Sequence, residues 1–377
     1  MRIAIVELYE HWEVVDFLRR VLHAHALEFY LSAEVAAHAG LVDVDPTEVI
    51  GRGADRTAVT RAVVNRQDRF DVVVVCTRNV DHRPWEPFDD LRIPVVLLLH
   101  DAAFAFDDGG EQLGDVFSRL RRWRWWLAGS WSRRLLRDQS RWAGFVTSAP
   151  GGAAFIKTMA ETRPCLVSPY AFAPALPLAA PNERADDRQP LHIVLPGSVD
   201  PNHRNYDPVL AALSSWRGRR LHVTLPGQLR NPGAPRITAA FEALATERLT
   251  IATRNVRESL DYAAALAKAD ILLAPIRPHV YYATQRERVG VTKGLGALDD
   301  QIRFAKPALV PEGIPTWPEL EAVTQRYADA SALASRLQGF VPPTDGKPFR
   351  AYGLTQLADR WSGFLLEVVR QRFRHRR

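Results

Sequence analysis

Hydrophobic positions along the chain fall into two alternating patterns. Apolar runs bounded by polar residues stand at Arg2 to Glu7, Phe70 to Cys76 and Ile93 to Leu99, while Val14 to Leu22 carries apolar residues at helical spacing. Runs without polar alternation suit strands of a parallel sheet covered by helices on both faces, whose positions meet no water. Between 173 and 190 periodicity fails, and prolines and alanines give way to the polar stretch Asn182 to Gln189, the expected linker. The pattern then restarts, with strands predicted at Leu191 to Leu195, Leu221 to Leu225, Leu249 to Ala252 and Asp270 to Ala274. Helices are predicted from about Asp207, around Ala239 to Ala245 and over Ser259 to Lys268. The expected fold class is α/β, with two Rossmann-like doubly wound domains at 1–172 and 191–353. A terminal helix is expected in 354–377, where Leu357, Trp361, Phe364, Leu365 and Val368 form a stripe that runs into a basic tail and would pack back on the first domain.

A length of 377 residues agrees with two domains. Hydrophobic residues at 47% and charged residues at 24% exclude disorder for most of the chain. Two cysteines, Cys76 and Cys165, are too few for a disulfide framework or a zinc cluster, so a reducing compartment and no metal are expected. No apolar run reaches the length of a signal-peptide core or a membrane span, which predicts a cytoplasmic protein, either soluble or peripheral at the inner face of the plasma membrane. Net charge is +6, carried by 5 Lys and 44 Arg. That balance favours anionic partners, either phosphate esters or an anionic membrane surface. In Arg119 to Arg137, Leu120, Trp123, Leu127, Trp131 and Leu135 make one stripe and arginines crowd the rest. Such a helix suits the surface of an anionic bilayer, or its tryptophans dock into the first domain. Basic residues join no reader motif, so nucleic acid is not an expected partner.

In open α/β sheets ligands bind at the carboxyl ends of strands. The loop after Leu191 to Leu195 reads Pro196-Gly197-Ser198-Val199-Asp200-Pro201-Asn202-His203-Arg204. Gly197 permits close approach of a backbone, Ser198 offers a hydroxyl and Arg204 a forked cation suited to a diphosphate, although an ordinary strand-to-helix turn has the same composition. Further on, Gly290 precedes Thr292-Lys293 and a predicted helix through Leu298 and Ile302. Amides at a helix start, the Thr292 hydroxyl and the Lys293 ammonium would converge on an anion. Asp299 and Asp300 follow within two turns, and one of them could reach sugar hydroxyls.

The segment Gly290-Val291-Thr292-Lys293-Gly294-Leu295-Gly296-Ala297-Leu298-Asp299-Asp300, followed by Lys306-Pro307-Ala308-Leu309-Val310-Pro311, resembles the nucleotide-sugar segment of GT-B glycosyltransferases, particularly the group 1 or family 4 enzymes. Leu195-Pro196-Gly197-Ser198 with Arg204-Asn205-Tyr206, and Tyr262 to Pro275, are similar to the family's preceding phrases. The resemblance spans Leu191 to Pro311. It implies a donor, a UDP- or GDP-sugar, held by the second domain and an acceptor held by the first, with a cleft between them. It also implies Arg204 and Lys293 on the departing diphosphate, Asp300 at the ribose, and Asn255-Val256 beside the base. The family's pair of glutamates seven residues apart is missing, its second member falling at Asp300 and its first near Thr292, so retaining and inverting outcomes both stay open.

In the first domain, His100-Asp101 closes an apolar run, and in similar enzymes a histidine there contacts the donor sugar. Glu10, His11 and Glu13 follow the first strand, where a carboxylate, Glu10 above all, could take the proton of an attacking hydroxyl. The function expected is hexosyl transfer to an acceptor hydroxyl of a glycan, lipid or small molecule, with no cofactor and no divalent metal. A nucleotide-sugar epimerase of the same fold and a non-catalytic membrane-associated scaffold are the alternatives.

Overall fold

The computed structural model describes residues 1–9, 11–41, 47–50, 56–77, 90–106, 142–174, 189–254, 259–282, 285–343 and 346–374. The expected amphipathic helix at 119–137, most of the linker, Glu10, Asn255 and Val256 lie outside them. The chain forms two compact units, one of Met1–Tyr170, Tyr281–Gly294 and Leu354–Arg377, the other of Ala171–Val280 and Leu295–Gly353.

The first unit is built on seven parallel strands: β1 (Arg2–Glu7), β2 (Ala26–Ser32), β3 (Thr47–Ile50), β4 (Val72–Val75), β5 (Val95–Leu99), β6 (Trp142–Thr147) and β7 (Cys165–Val167). Their order is β3-β2-β1-β4-β5-β6-β7. All of Ile3 to Val6 and Val72 to Val75 are fully buried, as unbroken apolar runs require when helices cover both faces of a sheet. The chain reverses its direction of travel across the sheet between β1 and β4, which opens a crevice at their carboxyl ends.

The second unit repeats the plan with β8 (Leu191–Val194), β9 (Leu221–Leu225), β10 (Leu249–Thr253), β11 (Ile271–Leu273), β14 (Ala308–Pro311) and β15 (Thr324–Tyr327), in the order β10-β9-β8-β11-β14-β15. Its corresponding switch point lies between β8 and β11, and every pairing in both sheets is parallel. Two Rossmann-like α/β units are therefore present, as the hydrophobic pattern predicts.

Two segments from the second half of the sequence fold into the first unit. The terminal helix Leu354–Arg374 buries Trp361 completely, and the Trp361 indole N–H donates to Ser168 Oγ at 2.9 Å. Gly144 on β6 lets this helix approach, because a Cβ there would stand 2.8 Å from Val368 Cγ2 and 3.0 Å from Phe364 Cζ. The second segment, 281–294, follows the start of a hairpin of β12 (His279–Tyr282) and β13 (Gln285–Arg288). The expected second domain, 191–353, includes this stretch, which groups with the first unit. Backbone bonds decide the matter: Ala102 N–H donates to Thr292 O at 2.6 Å and Gly151 N–H to Gly290 O at 2.7 Å. Periodicity carries no record of such bonds.

Candidate functional site

In the second unit the site begins where β8 ends. Gly197 adopts φ +78°, a conformation that L side chains rarely take, and a Cβ on it would lie 2.3 Å from Arg204 Nη2. The Arg204 guanidinium thus lies directly over the Gly197 backbone. Among the described residues no carboxylate comes within ion-pairing distance of it. The loop between is shaped by Asp200, which accepts from Asn202 N at 2.9 Å, His203 Nδ1 at 2.7 Å and Asn231 Nδ2 at 2.5 Å. Arg204 pairs across to Ile276, and Asn205 N–H donates to Pro275 O at 2.7 Å, so the loop spans the carboxyl ends of β8 and β11.

Behind the loop stands a relay that sequence reasoning does not single out. Gly197 N–H donates to the Tyr262 oxygen at 2.5 Å, and Tyr262 O–H donates to Asp300 Oδ2 at 2.7 Å. Tyr262 comes from the helix Ser259–Ala267 and Asp300 from the helix Gly296–Arg303. Asp300 is 7% exposed. Burial raises its pKa, while Arg303, Tyr262 and Arg204 pull it back. The Tyr262 hydroxyl is pushed well up by burial and then by Asp300. Gly197, Arg204 and Asp300, three predicted site residues, therefore meet in one unit, with Ser198 adjoining. A forked cation over a glycine at a switch point, backed by a carboxylate, can hold an anionic group and a hydroxyl together.

The first unit gathers the other candidates at the carboxyl ends of β1, β4 and β5. His100 follows β5. Its Nε2–H donates to Cys76 O at 2.9 Å, and its ring stacks on His11 with centroids 4.2 Å apart and an interplanar angle of 12°. Burial first, then His11 and Lys293, hold its pKa well below the usual imidazole range, so the ring is neutral at physiological pH. Glu13 sits in the first turn of the helix Trp12–Val21. A carboxylate not anticipated as chemistry, Glu7, closes β1 fully buried and accepts from Tyr9 N–H at 2.7 Å.

Lys293 does not lie on a helix start. It is paired with Asp101, its ammonium bonded to Oδ1 and 5.4 Å from the centre of the Tyr282 ring. Gly290 supplies a left-handed turn at φ +78°. The Thr292 hydroxyl accepts from Arg288 N–H at 2.8 Å in a residue only 2% exposed and also bonds the Glu287 carboxyl, so its partners are internal. Glu287, unpredicted, is fully buried and accepts from Phe104 N–H at 2.6 Å and Ala103 N–H at 3.2 Å. The signal for it was available: in Gln285-Arg286-Glu287-Arg288 strand alternation sends Gln285 and Glu287 to one face, and that face is buried. Among the described residues no group of three or more His, Cys, Asp or Glu could hold a metal ion, and no helix is long and apolar enough to cross a membrane.

No family model and no curated protein matches the chain. Solved structures do. HepE from Anabaena, in complex with UDP and glucose, is 12% identical with a TM-score of 0.55, over 100% of this chain and 99% of that one. The lipopolysaccharide outer core galactosyltransferase WaaB gives a TM-score of 0.59 at 11% identity, over 97% and 99%. A putative UDP-N-acetylglucosamine 2-epimerase from Listeria monocytogenes gives 0.54 at 12%, over 96% and 94%. The chain accordingly has the GT-B fold and is similar to the glycosyltransferases built on it.

Proposed function

We propose that this chain is a glycosyltransferase that moves a sugar from a nucleoside-diphosphate sugar to an acceptor hydroxyl. The observation that carries the reading is the Arg204 guanidinium over the Gly197 backbone, backed by Tyr262 and Asp300, at the switch point of the second sheet. In HepE and WaaB the same fold serves UDP-glucose binding and galactosyl transfer respectively, which makes a UDP-sugar the first donor to try. Arg204 receives the diphosphate, with Ser198 beside it, and Asp300 meets the ribose. In the first unit, Lys293 offers a positive charge to an anionic substrate group. His100, neutral and half-buried in the same unit, offers Nδ1 to an acceptor's proton.

The barrier falls chiefly because positive charge already stands where negative charge develops, and loss of one such group costs about 3 kcal/mol, on the order of a hundredfold in rate. Arg204→Ala should therefore slow UDP release from UDP-glucose in the presence of acceptor by about a hundredfold while circular dichroism stays unchanged. Full activity in that variant would reject the reading. The Listeria protein's fold likeness supports a second reading, epimerisation of the donor itself, which needs no acceptor. Product analysis with donor alone separates the two. Contact of 119–137 with an anionic bilayer belongs to the same proposal. It is checked by co-sedimentation with phosphatidylglycerol vesicles, where absence from the pellet removes it.

A further inference from the structure

We infer that Asp101 and Glu287 are positioning residues that set how much of the Lys293 charge is available to an anionic substrate. The inference rests on the reading that Lys293 offers its charge to an anionic substrate. Three contacts in the first unit carry it. Lys293 is ion-paired with Asp101, the two side chains being 26% and 13% exposed, so the pair is only partly wet and competes with any incoming anion. Glu287 binds the amides of Ala103 and Phe104, which directly follow Asp101 and Ala102 in the chain. Ala102 N–H in turn donates to Thr292 O, the residue before Lys293. Each member of the ion pair is thus fixed through the backbone of its neighbours, and Glu287 grips one side of that frame.

The charged groups facing Glu287 are Asp101, from the start of the helix Ala102–Phe106, and Lys293, from the loop after β13; the Thr292 hydroxyl faces it as well. Its strand neighbours Arg286 and Arg288 alternate to the opposite face. Burial, then Asp101, pushes the Glu287 carboxyl up to about 7, with Thr292, the Phe104 amide and Lys293 opposing. With Glu287 protonated, the cluster holds one carboxylate and one ammonium. With it ionised, two carboxylates face one ammonium, so Lys293 is held more firmly and an arriving phosphate meets an added negative charge.

The test uses the full chain labelled with lysine carrying carbon-13 at Cε, which gives only five signals, with Lys293→Ala identifying one. The Lys293 Cε signal should report the ionisation of Glu287 with a midpoint near 7, and UDP-glucose binding measured by calorimetry should weaken about threefold or more from about pH 6 to about pH 8. Glu287→Gln should flatten both profiles while leaving the fold unchanged by circular dichroism. A Lys293 midpoint near 7 that persists in Glu287→Gln overturns the inference. Should that variant not fold, the wild-type titration decides alone, and no midpoint between about 6 and 8 overturns the inference. The underlying reading fails separately: Lys293→Ala that binds UDP-glucose as tightly as wild type removes Lys293 from substrate binding, whatever the titration shows.

Discussion

At the scale of single residues the second unit's loop depends on a missing side chain. Gly197 combines a left-handed φ with an Arg204 nitrogen where its Cβ would be. Gly197→Ala costs about 1 to 2 kcal/mol in backbone strain and also displaces the guanidinium. UDP binding should be lost while apparent Tm falls only modestly, and intact binding with a lowered Tm would reduce Gly197 to a turn residue. Tyr262→Phe deletes the one oxygen that joins Gly197 N–H to Asp300. Leaving a buried carboxylate oxygen without that donor costs about 1 to 3 kcal/mol, to be read from urea unfolding. Gly197 and Arg204 were legible because they stand in a loop that the strand pattern exposes, while Asp300, inside a helix, was separated from Asp299 only by the family resemblance. Tyr262 was not, since in Tyr262-Ala263-Ala264-Ala265-Leu266 an aromatic at helical spacing reads as an apolar anchor, and its hydroxyl gains meaning only from partners 65 and 38 positions away.

Among the elements, β1 and β9 have the bounds expected from their apolar positions, while the unbroken runs Phe70 to Cys76 and Ile93 to Leu99 overshoot β4 and β5 at their ends. The hairpin of β12 and β13 was missed for the opposite reason. Gln285-Arg286-Glu287-Arg288 is wholly polar, and the burial of Glu287 is met by backbone amides of Ala103 and Phe104 some 180 positions earlier. The terminal helix was legible from its stripe, but its closeness to β6 was not, because that closeness comes from Gly144. Gly144→Ala should force Val368 and Phe364 outward and destabilise the first unit by about 1 to 3 kcal/mol. Urea unfolding followed by the fluorescence of the buried Trp361 region tests this, and an unchanged midpoint would mean that the helix is free to shift.

On the scale of the whole molecule, stability should depend on pH through the buried carboxylates. Glu287 is raised from 4.5 to about 7, and Asp300 is raised as well. A folded carboxyl that keeps its proton after the unfolded one has released it makes stability fall as pH rises through that window, by on the order of 3 kcal/mol for a shift of this size. Glu321, held near 2 chiefly by Arg326, works in the opposite direction, and only below the unfolded carboxylate range. Apparent Tm should therefore drop between about pH 5 and about pH 8, and drop less in Glu287→Gln. A flat wild-type profile would contradict the buried charge.

The way the chain is threaded bears on engineering. It passes from one unit to the other after Tyr170, Val280, Gly294 and Gly353. Neither unit is a continuous piece of sequence, so cutting the chain at the proline-rich stretch would strip the first sheet of both its hairpin and its closing helix. Exchange of the second unit with that of a related scaffold calls for transplanting 171–280 together with 295–353, leaving 281–294 with its host.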